Sequence, residues 1–317
     1  MADDTDAASD DVVRIQDFDV PGPIELDISN SIGPVEIELL ETARVHVEVR
    51  HDPDSGQPDW RSGLTGLLNW VSEQIGDSGI KTGFPDRDNG RGKERALDDA
   101  HAEAVRQTRI DMTGTRLAVH PPSTVPLRTV PLAIRIQAPA ESQVGIRTGA
   151  GPVSITGTAE KMRIQTGSGA VSTDSTTGSA TIRTGSGQIR LGAMPAGVEA
   201  RSGSGDIEIA SLQAPSSVVT GSGDVWLGTV EADLLVRSGS GNMIVAEAVS
   251  GQVELITGSG GIRAGIRKGV HAELDITSST GNAASELDVS TRRPPEEPAL
   301  RIFGRTGSGE ALVTSAV

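Results

Sequence analysis

The chain has 317 residues, of which 36% are apolar and 2% aromatic, with 39 glycines and neither cysteine nor tyrosine. The lack of cysteine excludes disulfides, thiol catalysis and cysteine-based zinc sites. The net charge of −15 argues against nucleic acid and against electrostatic docking to an anionic membrane. No apolar run approaches the roughly 20 residues that span a bilayer. The acidic N-terminus is unlike a secretory signal, so we expect a soluble cytoplasmic protein without a cofactor.

The first part of the chain is acidic and then becomes β-rich. Residues 1–11 are predicted to be a disordered acidic tail. Residues 12–51 are predicted to be an N-terminal β segment, because short apolar stretches alternate with polar residues between proline and glycine punctuation. The predicted strands are Val13–Ile15, Ile24–Ile28, Val35–Leu39 and Val45–Val49. Residues 31–37 resemble residues 149–155, which suggests that the repeats described below begin already here.

Residues 52–107 break the β pattern and are predicted to be a helical insertion with a mobile loop. Asp59 offers an N-cap, and apolar residues then recur on one helical face for about four turns. A second helix is predicted over residues 95–106, with Ala104 and Val105 inward. The apolar face of the first helix either caps an open end of the fold or docks a partner. Its candidate partner-binding residues are Trp60, Leu64, Leu67, Leu68, Trp70 and Val71.

Residues 108–317 return to the β pattern and are predicted to be solenoid repeats. A phrase of the type T/S-G-S/A-G recurs with a step of 18 residues, and once of 19. Its regular copies begin at Thr148, Thr166, Thr184, Ser202, Thr220, Ser238 and Thr257. Short alternating strands joined by glycine turns would bury a thin core when the coils stack at about 4.8 Å. The predicted fold is therefore all-β, a β-solenoid or β-helix-like stack.

The repeat phrase has a structural and a functional interpretation. As a turn, its glycines would supply positive φ at a sharp corner, and its threonines and serines would form an inward ladder. As a phosphate-cradling loop, it would need a helix directly after the glycines, whereas a β-rich stretch follows every copy. The turn is therefore preferred. Two later copies depart from the period: residues 278–281 are degenerate, and residues 306–309 are clean but follow a proline-bearing loop.

Outward positions of the predicted coils supply the other candidate contacts. Residues just before the phrase form an arginine file, in which Arg183 and Arg201 would lie on neighbouring coils and Arg237 further on. This file is either a solvated face paired with carboxylates such as Glu199, or a strip that recognises an acidic partner. Trp226 is an outward residue that marks a further contact. Stacked carboxylates after the phrase are predicted to be turn residues, and the five histidines lack metal-binding spacing, so no catalytic, cofactor or metal residue is assigned.

The phrase T-G-S-G-D-V at residues 220–225 and the form S-G-S-G-D-I at residues 202–207 resemble the bacterial β-strand-repeat family catalogued as "putative adhesin". The stretch D-W-R-S-G-L-T-G-L-L-N-W at residues 59–70 resembles actinobacterial versions. The resemblance covers residues 12–317 and implies a β-solenoid without catalytic residues. We therefore expect a non-enzymatic binding or scaffolding module that engages a protein partner or itself. The alternatives are a bactofilin-like filament, an adhesin-like surface protein and a polysaccharide-active β-helix enzyme.

Overall fold

The computed structural model describes residues 12–53, 55, 90–287 and 297–316. The strands are, in chain order, β1 (Val13–Asp19), β2 (Glu25–Ile32), β3 (Val35–Leu40), β4 (Arg44–His51), β5 (Arg109–Thr113), β6 (Arg116–His120), β7 (Leu132–Pro139), β8 (Gln143–Ala150), β9 (Val153–Ala159), β10 (Lys161–Thr166), β11 (Val171–Thr176), β12 (Ala180–Thr184), β13 (Ile189–Met194), β14 (Val198–Ser202), β15 (Ile207–Leu212), β16 (Ser216–Thr220), β17 (Val225–Val230), β18 (Leu234–Ser240), β19 (Met243–Ala248), β20 (Gly251–Ser259), β21 (Ile262–Ile266), β22 (Ala272–Ser278), β23 (Ala283–Ser285), β24 (Leu300–Ser308) and β25 (Ala311–Ser315). A helix, α1 (Gly90–Gln107), and a 3₁₀ turn (Leu127–Thr129) lie between β4 and β7.

The strands form two long sheets that share one hydrophobic core. Sheet A has 13 strands in the order β1-β4-β7-β3-β9-β11-β13-β15-β17-β19-β21-β25-β23. Sheet B has 12 strands in the order β22-β24-β20-β18-β16-β14-β12-β10-β8-β2-β6-β5. From β8 to β21, each coil gives one strand to sheet B and the next to sheet A. Buried valine, isoleucine, leucine, methionine and alanine side chains form a continuous core along the stack. The predicted β-solenoid is confirmed.

Residues that are 18 positions apart in the sequence are register partners on neighbouring coils. Ile207 pairs in parallel with Ile189 on one side and with Val225 on the other. The likeness between residues 31–37 and 149–155 has the same meaning, because Val35 is the register partner of Val153. Side chains alternate between the two faces of a strand, so each apolar column stays inside along the whole stack. A thin core of this kind needs no large aromatic side chain.

The glycines of the repeat phrase are required mainly by close approach of neighbouring coils. A Cβ atom on Gly187 would lie 1.9 Å from the carbonyl oxygen of Gly169, and the other phrase glycines of the central coils meet similar obstacles. Positive φ occurs, among the phrase glycines, at Gly151, Gly241 and Gly260. The prediction of a positive-φ corner is therefore wrong for the central coils. There, glycine is needed because a side chain would strike the backbone of the next coil.

The hydroxyl residue that opens each phrase is buried and holds the corner together. Thr184 Oγ1 accepts a hydrogen bond of 2.9 Å from the backbone N–H of Gly187. Ser202 Oγ accepts the equivalent bond of 2.8 Å from Gly205. Because a buried donor without a partner is costly, these bonds explain why a hydroxyl recurs at an otherwise apolar column. The predicted inward position is confirmed, and the hydroxyls of the later copies bond to the main chain, whereas Thr148 Oγ1 of the first copy is buried without a hydrogen-bond partner among the described residues.

The acidic residues that follow the phrase tie one coil to the next. Asp206 Oδ1 accepts a hydrogen bond of 2.8 Å from the backbone N–H of Asp224. Asp224 Oδ1 in turn accepts one of 2.7 Å from the N–H of Asn242. Each carboxylate thus satisfies a main-chain donor at the start of the neighbouring strand. This is the turn role that the sequence predicts for Asp206 and Asp224.

The order of the coils in space differs from their order in the chain at both ends of the stack. The last coil, β24–β25, lies between the coils β20–β21 and β22–β23. The first coil, β2–β3, lies between β6–β7 and the coil β8–β9. The coil nearest each chain terminus therefore has neighbours on both of its faces. The spatial order thus departs from the chain order at both ends of the stack.

One end of the stack is covered by antiparallel strands and by the helix. β4 pairs antiparallel with β7, and β1 pairs antiparallel with β4. Helix α1 contacts β1, β4 and the 3₁₀ turn, and buries Ala104 and Val105 as predicted. It begins at Gly90, five residues before the predicted start. A guanidinium nitrogen of Arg14 on β1 donates to the carbonyl oxygen of Arg106 at 2.6 Å, which fixes the end of the helix to the sheet.

A bidentate ion pair links coils in the second half of the stack and carries a pH prediction. Arg267 donates two hydrogen bonds of 2.8 Å to Glu247, and these bonds lower the pKa of the Glu247 carboxyl. Stability from a lowered carboxyl pKa is present above the ordinary glutamate range and is lost as the pH falls through the folded-state value. We therefore expect Arg267→Gln to lower the Tm at neutral pH, and its difference from the wild type to narrow in acid.

Thermal denaturation from about pH 7 to about pH 3, across the ordinary glutamate range, measures this effect. Arg237→Gln is the matched control, because Arg237 has no ion pair among the described residues. It should leave the shape of the pH profile unchanged. A deficit for Arg267→Gln that stays constant at every pH would show that the ion pair does not act through the titration of Glu247.

Candidate binding surface

A shallow concavity of about 560 Å³ lies on the outer face of sheet B. Its floor is at Gly145 on β8, which has no side chain. The register partners of Gly145 are Asp27 on β2 and Arg163 on β10, so these two side chains form opposite walls. Arg147 lies at the next outward position of β8, and Lys161 at the preceding outward position of β10. The concavity exists because Gly145 occupies one outward position in a column of larger side chains.

Cationic side chains outnumber acidic ones around this concavity. The cations are Arg116, Arg147, Lys161, Arg163 and Arg183, and the acids are Glu25, Asp27 and Glu199. Asp27 lies 2.5 Å from Arg116 and 3.8 Å from Arg147, and its hydrogen bond raises the pKa of Arg116. By contrast, Lys161 and Arg163 form no ion pair with any residue in the described ranges. An acidic protein therefore presents a locally positive, open depression.

The predicted arginine file borders this concavity and continues past it. Arg183 and Arg201 are register partners on β12 and β14. Both contact Glu199, at 3.1 and 3.0 Å, which is the carboxylate pairing that the first interpretation of the file predicts. Beyond Val219, Arg237 is exposed and has no ion pair in the part of the chain that the structure describes. The arginine file is therefore partly neutralised, whereas Lys161 and Arg163 beside it have no ion pair within the described residues.

The other sequence-predicted contacts do not join this surface. Trp226 lies on β17, on the outer face of sheet A, away from the arginines of sheet B. The candidate residues of the first predicted helix (Trp60, Leu64, Leu67, Leu68, Trp70 and Val71) lie outside the described residues. Lys161 and Arg163 were missed by the sequence reasoning, which followed only the position just before the phrase. On β10 the position just before the phrase is Gln165, and Arg163 is the preceding outward residue. The alternation of the strand could therefore have identified it.

Two negative findings apply to the described residues. Within the ranges 12–53 and 90–287 and the C-terminal coil, no group of three or more His, Asp or Glu side chains is placed to hold a metal ion. In these same parts of the chain, no helix is both long and apolar enough to cross a membrane.

The fold and its surface define a β-solenoid of the strand-repeat class with an open, positively charged depression on one sheet. Residues 196–310 match the model of the Toastrack family, DUF4097. This match confirms the resemblance to a β-strand-repeat family of unknown function. No curated protein matches the chain.

Three solved structures are similar to this chain at low sequence identity. A "putative adhesin" from Bacteroides fragilis is 9% identical, with 95% of this chain and 97% of that chain covered, at a TM-score of 0.40. A "putative adhesin" from Parabacteroides merdae is 10% identical, with 94% and 95% covered, at a TM-score of 0.25. A "putative cell adhesion protein" from Clostridium sporogenes is 8% identical, with 96% and 99% covered, at a TM-score of 0.19.

Proposed function

We propose that this chain is a non-enzymatic binding module that takes an anionic partner in the concavity on sheet B. The observation that carries the proposal is that Lys161 and Arg163, on one wall of the concavity, have no ion pair with any described residue. A binding surface without acid–base machinery is what a rigid solenoid provides, because its parallel register holds surface side chains at fixed spacing along the stack.

The distribution of charge supports an anionic ligand over an apolar one. Arg116 in the same concavity is balanced by Asp27. Lys161 and Arg163 have no such balance among the described residues, and Arg147 extends the positive wall along β8. Charge-assisted hydrogen bonds to carboxylate, sulfate or phosphate oxygens are the strongest that these two side chains can make.

Charge reversal in the concavity tests the proposal. We expect the double variant Lys161→Glu with Arg163→Glu to bind immobilised heparin, polygalacturonate or polyglutamate at least about tenfold more weakly than the wild type, equivalent to about 1.4 kcal/mol. Wild-type binding should also weaken as the ionic strength rises, because exposed charges are screened over about 8 Å at physiological salt. Biolayer interferometry with the three probes separates sulfated, uronic and peptide anions.

A matched control separates local from overall charge. Lys268→Glu with Arg305→Glu makes the same change in net charge, at two cations outside the concavity that have no ion pair within the described residues. This control should bind almost as well as the wild type. If it loses as much affinity as the concavity variant, or if the wild type binds none of the probes, the concavity is not the binding site.

A further inference from the structure

The outer face of sheet A carries an apolar pair that is open to solvent. Trp226 on β17 and Ile244 on β19 are register partners, and they are 41% and 38% exposed. Beside them, along the same strands and on β15, lie Ala210, Gly228 and Ala246. A Cβ atom on Gly228 would lie 3.4 Å from Cη2 of Trp226, so the indole reaches over this small-residue floor. The patch is therefore apolar, with small residues beside the exposed pair.

Charges of opposite sign flank this pair along the stack. Glu208 on β15 is the register partner of Trp226 on one side. Arg263 on β21 is the register partner of Ile244 on the other side. Arg263 has no ion pair among the described residues, whereas Glu208 contacts Arg190 at 3.3 Å. These four register partners on successive strands form one column, Glu208–Trp226–Ile244–Arg263. It has an acidic residue at one end, two apolar residues in the middle and, at the other end, an arginine without an ion pair among the described residues.

We propose that a second copy of this chain docks on this patch, related by a twofold axis that runs parallel to the strands between Trp226 and Ile244. Such an axis reverses the stacking direction. Trp226 of one copy then meets Ile244 of the other, and Glu208 meets Arg263. The interface is isologous, because the same column serves both copies. It supplies a carboxylate to Arg263, which has no ion pair among the described residues of its own chain.

The charges select this axis over the other face-to-face arrangement. A twofold axis along the stack would keep the stacking direction and place each column residue opposite itself. Glu208 would then face a second Glu208, and Arg263 a second Arg263. Like charges brought together across an interface are strongly disfavoured. The antiparallel docking has instead two opposite-charge pairs around an apolar centre.

The size of the patch predicts a reversible dimer. Five strands, from β13 to β21, extend about 24 Å along the stack at about 4.8 Å per strand. A face of this extent buries less than the standard area of roughly 800 Å² per partner. We therefore expect association to depend on protein concentration. The proposal is independent of the sheet B concavity, since the two surfaces lie on different sheets.

Sedimentation velocity over a concentration series tests the proposed docking with the complete chain. Glu208→Arg and Arg263→Glu should each raise the dimer dissociation constant at least about tenfold, and the double charge swap should recover most of that loss. Arg305→Glu on sheet B makes the same charge change as Arg263→Glu and should have little effect. A wild type that stays monomeric throughout, or a swap no better than the single variants, would overturn the proposal.

The absence of native cysteine allows a direct test of the register. Facing sheets lie about 10 Å apart, so a variant with both Glu208→Cys and Arg263→Cys should form a covalent dimer with a short bifunctional thiol cross-linker, visible on a denaturing gel. Within one copy the two positions are three strands apart, about 14 Å, which is beyond the reach of the same linker. Each single cysteine variant should remain largely monomeric. Equal cross-linking of the single and double variants would show random collision and contradict the docked geometry.

Discussion

Gly205→Ala is expected to destabilise the protein by at least about 3 kcal/mol, the upper end of ordinary overpacking. A Cβ atom at this position would lie 2.0 Å from the carbonyl oxygen of Gly187 and 2.5 Å from its carbonyl carbon. Both obstacles are backbone atoms of the neighbouring coil, which parallel hydrogen bonds hold in register. No side-chain rotation relieves such an overlap, so the coils must separate locally. Thermal denaturation followed by circular dichroism measures the loss.

Two matched substitutions show whether close approach is the cause. Gly22→Ala also adds one methyl group, but a Cβ atom there meets no other atom within 4 Å. Ser204→Ala changes the exposed middle residue of the same phrase as Gly205. Both should leave the Tm within a degree or two of the wild type, as ordinary surface changes do. A similar fall for Gly22→Ala and Gly205→Ala would mean that glycine is required for another reason.

The stacking partners and the inward side chains of the regular coils could be predicted from the 18-residue repeat. A step of 18 residues with an opening hydroxyl specifies which residues stack, and Thr184 and Ser202 are indeed register partners. Alternation then specifies which side chains face inward. The reason for the glycines could not be found in this way, because a turn with positive φ and a backbone contact both require the same residue. Only the positions of the neighbouring carbonyl oxygens distinguish the two causes.

The spatial order of the coils is not contained in the period. The phrase repeats at residues 278–281 and 306–309, but its spacing does not say which coil lies at the end of the stack. A chemical signal for this order does exist. The degenerate copy belongs to β22–β23, whose apolar side chains Leu274 and Ile276 are only half-buried. Terminal repeats are typically atypical in sequence because one face meets solvent.

The candidate binding surface also depends on the spatial order of the coils. Asp27 and Arg147 lie far apart in the chain, and they meet because β2 stacks directly on β8. A reader of the sequence sees the helical insertion between them and no reason to join them. The outward positions of Lys161 and Arg163 could have been predicted without this order, because both residues lie on one strand that the repeat already defines. What could not be predicted was that, among the described residues, none of the carboxylates around this concavity forms an ion pair with Lys161 or Arg163, because that depends on the assembled sheet.

Ile302→Ala is expected to cost about 2–5 kcal/mol, as for other fully buried aliphatic side chains. Ile302 lies in the last coil of the chain, yet its register partners are Val253 on one side and Leu274 on the other. Its side chain is buried to 1% exposure, so truncation leaves a cavity between two coils. In a solenoid that ended with its last repeat, the same change would affect only the outermost layer.

Leu274→Ala is the matched comparison, because Leu274 occupies the same column one coil further out. Its side chain is already half-buried at the end of the stack, so less apolar surface is lost and the site can collapse toward solvent. We expect a loss less than half as large as that for Ile302→Ala, measured as the shift in Tm under identical conditions. The reverse ranking would mean that the coils stack in chain order, with the C-terminal coil outermost. The expected ranking would support the observed order, in which the well-buried coil β24–β25 lies inside the stack and the less buried coil β22–β23 lies at its end.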